Sequence, residues 1–160
     1  MKKLRPRLSF LLILAVPLIT LSCGQGGSPT SPISRLRQVV TGLTLSVTTS
    51  QGAGSMTFRI NVENGGSATE TLNFTCAQFF DIEVTDQSGK LVWRWSNDKY
   101  FAAVLWSLEL SPGESSAQET VWNLTGSDQK PLSSGSYTAK IYITSSPRDG
   151  GLSSVIRLTI

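Results

Sequence analysis

The sequence contains no histidine and only two cysteines, and each shortage excludes classes of function. Without histidine, neither a Ser-His-Asp nor a Cys-His catalytic arrangement can form, and the commonest metal ligand is missing. The two cysteines allow at most one disulfide, so the fold depends on its core and its strand pairing. We therefore expect a protein that is not an enzyme, has no catalytic residues and needs no metal or cofactor.

Carboxylate chemistry is the remaining catalytic option, and the acidic residues do not favour it. Catalysis of this kind needs two acids that converge in a pocket. Asp81 and Glu83 alternate with the apolar residues Phe80, Ile82 and Val84. This alternation predicts that both acids lie on the solvated face of a half-buried strand.

Positive charge is scarce outside the N-terminus. Of the 14 Lys and Arg residues, four lie within the first seven positions, which leaves 10 basic and 11 acidic residues and a net charge of −1 for the rest. The remaining basic residues are scattered rather than clustered. Since nucleic-acid binding relies on a basic patch, no nucleic-acid partner is expected.

The N-terminus has the layout of an export signal. A basic start is followed by an uncharged apolar run over residues 8–21, and the run ends at Ser22, Cys23 and Gly24. This ending resembles the lipobox of bacterial lipoproteins, which implies removal of residues 1–22 and acylation of Cys23. The alternative is a secreted protein cut by the general signal peptidase, with Cys23 as a free thiol. Lipidation predicts a cell-envelope protein held in a lipid bilayer, in the outer membrane if the cell has one.

The segment after the cysteine is rich in Gly, Ser and Pro and contains little that packs. Residues 23–34 are therefore predicted to be the lipidated cysteine followed by a flexible tether. One domain is expected over residues 35–160.

Short amphipathic strands dominate this domain. Apolar residues alternate with polar ones in segments spaced about ten residues apart, which indicates an all-β sandwich of two antiparallel sheets. Only residues 100–106 break the alternation, and a strand or a short turn is as compatible with them as a helix. Turn signals separate the segments, among them Pro112-Gly113.

A series of motifs between residues 56 and 143 resembles the BsuPI-type intracellular proteinase inhibitor family. The motifs include the run at 89–96 (Gly-Lys-Leu-Val-Trp-Arg-Trp-Ser), Pro112-Gly113-Glu114 and Gly135-Ser136-Tyr137. The resemblance implies an immunoglobulin-like antiparallel β-sandwich of about eight strands and an ancestral role in inhibiting a bacterial serine protease. Two residues depart from the family pattern: Cys76 stands where a small polar residue is usual, and Ser134 replaces a common proline.

Several aromatic residues have a structural interpretation. Trp93 and Trp95 share one face of their strand and are expected to pack in the core, with an aromatic binding platform as the alternative. Tyr137 resembles the tyrosine that pins a strand corner in such folds.

The sequence favours a protein-binding function through a surface loop. Loops carry the binding sites of sandwich domains, and the most chemically varied tip contains Asn97, Asp98 and Lys99. The loop of residues 126–134 is the second candidate. The first functional hypothesis is an envelope lipoprotein with an inhibitor-like domain and a serine protease as partner. The alternative is a non-inhibitory accessory module of a cell-envelope assembly.

Overall fold

The computed structural model describes residues 38–40, 42–146 and 151–160. The predicted signal peptide, the lipidation site Cys23 and the tether lie outside the described residues. Ten strands occur in the described part of the chain, with these bounds: β1 Gln38–Val40, β2 Leu43–Gly52, β3 Ser55–Asn64, β4 Glu70–Phe74, β5 Phe80–Thr85, β6 Leu91–Arg94, β7 Trp106–Leu110, β8 Ser115–Trp122, β9 Ser136–Ile143 and β10 Ser153–Thr159.

Eight strands form two four-stranded antiparallel sheets, and the other two form a separate pair. The first sheet has the order β1-β2-β3-β8, the second has the order β10-β9-β5-β6, and β4 pairs with β7. The arrangement β2-β3-β8 corresponds to strands A, B and E of an immunoglobulin domain, and β10-β9-β5-β6 corresponds to G, F, C and C′. The predicted antiparallel sandwich is confirmed, with ten strands over the described residues rather than about eight.

The core lies between the two sheets, as strict alternation along the strands requires. In β3 every second side chain is buried, and the same holds for β10. The largest side chains of the core come from both sheets, including Phe58 and Trp122 from the first and Ile82 and Ile141 from the second. Burial of this apolar surface is the main stabilising contribution.

The β4–β7 pair attaches to the sandwich through aromatic rings. Phe74 of β4 and Trp106 of β7 stack on each other with ring centroids 4.1 Å apart, and both pack against Phe79, directly before β5, at 5.5 Å and 6.3 Å. The indole N–H of Trp106 donates a hydrogen bond of 2.8 Å to the carbonyl of Cys76. Asn73 forms an isolated antiparallel bridge with Ser146, so the pair is also held by backbone contacts.

Tyr137 pins the corner before β9, as predicted. Its hydroxyl donates a 2.8 Å hydrogen bond to the carbonyl of Ser133, four residues earlier. This is the geometry of the tyrosine corner in immunoglobulin-like domains. Among the residues that the structure describes, there is no helical segment that could span a lipid bilayer.

Two edge strands face each other across one side of the sandwich. β6 ends the order of the second sheet, and β8 ends that of the first. The β6–β7 loop (residues 95–105) and the β8–β9 loop (residues 123–135) both leave from this side. The two loops selected from the sequence therefore belong to one region of the molecule.

Candidate binding surface

The β6–β7 loop carries the three residues predicted to bind a partner. All three are exposed: Asn97 and Asp98 lie in the turn that follows β6, and Lys99 comes directly after it. The ammonium of Lys99 contacts Asp98 Oδ1 at 2.8 Å and donates to the carbonyl of Trp95 at 2.8 Å. The hydrogen bond from Lys99 lowers the pKa of Asp98 below its ordinary value. These two charges neutralise each other, so this part of the loop has no net charge to offer a partner.

A buried carboxylate fixes the beginning of this loop. Asp81 is 1% exposed, and its Oδ2 accepts hydrogen bonds of 2.8 Å from Arg94 Nε and from the hydroxyl of Ser96. Its Oδ1 accepts the backbone N–H of Ser96 at 3.2 Å. The prediction that Asp81 lies on a solvated face is therefore wrong. The alternation correctly excludes Asp81 from the apolar core, but side chains from β6 and β9 cover it on the outer face.

Tyr142 and Glu83 extend the network around Asp81. Arg94 Nη2 donates to the hydroxyl of Tyr142 at 2.8 Å, and this hydroxyl lies 3.2 Å from Glu83 Oε1. Burial, together with the charges of Asp81 and Glu83, raises the pKa of Tyr142 to about 12. The hydrogen bond to Asp81 raises the pKa of Arg94. At neutral pH the network therefore joins β5, β6 and β9 as a fixed set of charges and hydrogen bonds.

Further contacts hold the middle and the end of the β6–β7 loop. The carbonyl of Ala102 accepts a 2.9 Å hydrogen bond from the N–H of Ala77. Phe101 packs against Trp95 with ring centroids 5.7 Å apart. The loop ends at Trp106, which is stacked on Phe74. The backbone of the loop is thus supported at its start, its middle and its end.

Between these supports, large apolar side chains point into solvent. Tyr100 is fully exposed, Leu105 is 82% exposed and Val104 is 45% exposed. Residues 100–105 belong to neither a helix nor a strand. The sequence prediction selected residues 97–99 and did not include this neighbouring exposed segment. The signal for it was the break in alternation at residues 100–106. Phe101 and Trp106 of this stretch pack against other rings, whereas its remaining large apolar side chains face solvent.

A groove of about 290 Å³ separates the β6–β7 loop from β8. Trp93 and Trp95 line one wall, and Thr120 and Trp122 of β8 line the other. The rings of Trp93 and Trp122 stack directly on each other at 4.8 Å, and Trp95 Nε1 donates to Thr120 Oγ1 at 3.0 Å, so the two walls are in contact at these positions. These tryptophans pack against the core, as the structural interpretation predicted, and they also line a surface feature. We name it the edge groove.

The β8–β9 loop closes one end of the edge groove. Gln129 lines the groove, with a φ of 62° that non-glycine residues rarely adopt. The N–H of Ser127 donates to the carbonyl of Val92 at 2.8 Å, and its hydroxyl donates to the same oxygen at 3.2 Å. The second candidate loop is therefore fastened to β6, and its Gln129 borders the same groove as Asp98 and Lys99.

The chemistry available at this surface is that of binding. Within residues 42–146 and 151–160, no group of three or more His, Cys, Asp or Glu side chains could hold a metal ion. An exposed aromatic side chain such as Tyr100, on a supported loop, is a feature that anchors protein–protein interfaces.

Two solved structures that align in part with the chain are a β-glucuronidase and a β-glucosidase. The chain aligns with β-glucuronidase 2 of Bacteroides uniformis at 16% identity and a TM-score of 0.42, over 74% of this chain and 13% of that one. It aligns with β-glucosidase 3B of Thermotoga neapolitana at 15% identity and a TM-score of 0.39, over 75% of this chain and 16% of the enzyme. This chain thus spans only a small part of either enzyme, and at these scores neither alignment bears on function. No curated protein matches the chain.

The sequence itself identifies the family. The family model described as intracellular proteinase inhibitor (BsuPI) matches residues 43–148, which run from the first residue of β2 to just beyond β9 and include both loops of the candidate surface. The match covers well over half of the chain and agrees with the immunoglobulin-like strand order described above. The chain therefore belongs to the BsuPI intracellular proteinase inhibitor family.

Proposed function

We propose that this domain inhibits a serine protease by docking the β6–β7 loop onto it, with Tyr100 and Leu105 as the main contacts. Family membership supports an inhibitor of proteinases. The single observation that carries the choice of loop is the exposed apolar segment of residues 100–105 on a backbone supported at both ends. A supported loop loses little conformational entropy when it docks, so more of the contact energy contributes to affinity.

We propose that the domain is held at the cell envelope by a lipid anchor. The lipobox-like ending at Cys23 supports acylation of that cysteine, and a tether up to residue 34 would hold the domain clear of a bilayer surface. The target is then a protease that meets the cell envelope.

The test is a titration of active-site-calibrated serine proteases with the full chain in detergent. We expect saturable loss of activity at about one inhibitor per protease, with the inhibitor chain intact on gels. Tyr100→Ala and Leu105→Ala should each raise the inhibition constant on the order of 30-fold, which corresponds to about 2 kcal/mol at an interface hot spot.

Val155→Ala is the matched control, because Val155 is also an exposed apolar residue (41%) but lies on β10, at the opposite edge of the second sheet. This variant should inhibit as the parent does. If the proteases stay fully active, or if they digest the domain as a substrate, the domain is not an inhibitor. The accessory binding module is then the remaining function. If none of the three substitutions changes the inhibition constant, the β6–β7 loop is not the inhibitory surface.

A further inference from the structure

Among the large apolar side chains of the described chain, that of Tyr100 is the most exposed. It is fully exposed, whereas Leu105 is 82% exposed and Val104 is 45% exposed. The ring of Tyr100 therefore gives up no packing within the domain when it enters a pocket of a partner. Aromatic rings bury more area than other side chains and dominate the energetics of interfaces.

Both chain neighbours of Tyr100 are held on a single ring, that of Trp95. The ammonium of Lys99 lies 4.8 Å from the centroid of this ring and donates to the carbonyl of Trp95 at 2.8 Å. Phe101 packs against the same ring with centroids 5.7 Å apart. Tyr100 therefore projects from a stretch of chain that is supported on either side of it.

Trp95 is in turn fixed by both sheets of the sandwich. Its backbone N–H donates to the carbonyl of Ile82 at 2.9 Å, and its ring packs against Phe80 at 4.3 Å; both of these residues lie in β5. Its indole N–H donates to Thr120 of β8 at 3.0 Å. The sandwich thus sets the position of Tyr100, whose side chain has only two torsion angles left to order on docking.

Leu105 is supported less evenly. Trp106, which follows it, is stacked on Phe74 at 4.1 Å, but Val104, which precedes it, is itself 45% exposed. Of the two exposed side chains, Tyr100 is therefore the better placed to enter a protease pocket, and Leu105 is a flanking contact.

The charges of the loop indicate which kind of pocket it suits. Lys99 is the only basic residue among residues 95–105. Its ammonium contacts Asp98 and the carbonyl of Trp95, each at 2.8 Å. To enter the acidic pocket of a trypsin-like protease, Lys99 would have to give up both contacts. Tyr100 needs no such rearrangement to enter a pocket with apolar walls.

We infer that Tyr100 is the specificity-determining residue of the inhibitory loop, and that the partner is a serine protease whose primary pocket accepts a large aromatic side chain. The inference rests on the proposed function, because it requires that the β6–β7 loop docks at a protease active site. It adds the choice among proteases: an apolar slot fits Tyr100, whereas an acidic pocket or a small pocket does not.

The test exchanges the side chain at position 100 and records which protease is inhibited. The full chain in detergent is titrated against chymotrypsin, trypsin and elastase, whose primary pockets are apolar, acidic and small, respectively. The parent should inhibit chymotrypsin alone, and Tyr100→Phe should do the same. Tyr100→Lys should raise the inhibition constant for chymotrypsin on the order of 100-fold and should acquire inhibition of trypsin.

Leu105→Lys is the matched control, because it introduces the same charge at the other exposed position. This variant should not acquire inhibition of trypsin. Since both side chains point into solvent, the urea midpoints of the variants should match that of the parent, which separates a change of target from a loss of fold.

The outcomes distinguish this inference from the proposed function. A parent that inhibits no serine protease removes both. A parent that inhibits only proteases selecting basic or small side chains overturns this inference alone. The same holds if Tyr100→Lys keeps the parent's target, if it loses chymotrypsin without acquiring trypsin, or if Leu105→Lys is the variant that acquires trypsin.

Discussion

Asp81 holds Ser96 by two hydrogen bonds, one from the backbone N–H at 3.2 Å and one from the hydroxyl at 2.8 Å. The same carboxylate pairs with Arg94 at 2.8 Å, so one buried acid links strand β5, strand β6 and the first residues of the β6–β7 loop. The orientation of the candidate binding loop thus depends on a residue outside the loop.

Replacement of Asp81 should therefore destabilise the domain. Asp81→Asn removes the charge that compensates Arg94, and we expect the free energy of unfolding to fall on the order of 2 kcal/mol, since Arg94 remains partly hydrated. Urea denaturation measures this loss. Glu83→Gln is the control, because Glu83 is more exposed and lies 3.6 Å from Arg94; its loss should stay below about 1 kcal/mol. Equal losses for the two variants would contradict a central role for Asp81.

Tyr142 should make the domain sensitive to alkaline pH. Its pKa is raised from the ordinary value of 10.0 to about 12, so the folded state binds this proton more tightly than the unfolded state does. The stabilisation is complete below pH 10 and should be lost as the pH rises from 10 through 12. Denaturation at several pH values, with Tyr142→Phe as the reference, isolates this contribution. A stability difference between parent and variant that is constant from pH 9 to 12 would exclude the raised pKa.

Trp122 should contribute more to stability than the tryptophan stacked on it. Trp122 is 1% exposed, and its indole N–H donates to the carbonyl of Thr125 at 2.9 Å. Trp122→Ala should lower the free energy of unfolding by about 4 kcal/mol, because it leaves a cavity in the core. Trp93→Ala removes a half-buried ring at the edge and should cost about half as much. The denaturation midpoints of the two variants test which substitution costs more. A larger loss for Trp93→Ala than for Trp122→Ala would contradict the prediction.

Cys23→Ser should abolish attachment of the chain to membranes. If Cys23 is acylated, the parent should incorporate labelled palmitate in a bacterial host and sediment with membranes, whereas the variant should do neither. Cys76→Ser is the matched control, since Cys76 is half-buried near the β4–β7 pair and should not affect labelling. Persistent labelling of the Cys23→Ser variant would contradict lipidation at this residue.

Local sequence patterns were sufficient to predict most of the sandwich. Alternation in β3 and β9 sets which side chains enter the core, and Pro112-Gly113 marks the turn before β8, where Gly113 has a φ of 80°. Tyr137 could be interpreted as a corner residue because its partner, Ser133, lies only four residues away. Each of these features depends on neighbours in the chain.

The candidate surface depends on strand order, which local patterns do not contain. Asp81 is buried by Arg94 and by Tyr142, which is 61 residues away in the sequence. The edge groove forms because β6 and β8 end their sheets on the same side, and the open edge of β8 becomes visible only once its neighbours are known. The candidate loop was selected from composition, but the exposed side chains of its segment at 100–105 could be identified only once the packing of the core was known.

The way the β4–β7 pair is attached has a consequence for where this domain can fold. The pair is fastened by stacked rings and by a hydrogen bond to the main-chain oxygen of Cys76, so the sulfur of that residue takes no part in the attachment. Thiol-based reductants should leave the domain's unfolding midpoint unchanged. Cys76 is a free cysteine, so the attachment of the β4–β7 pair does not require an oxidising compartment.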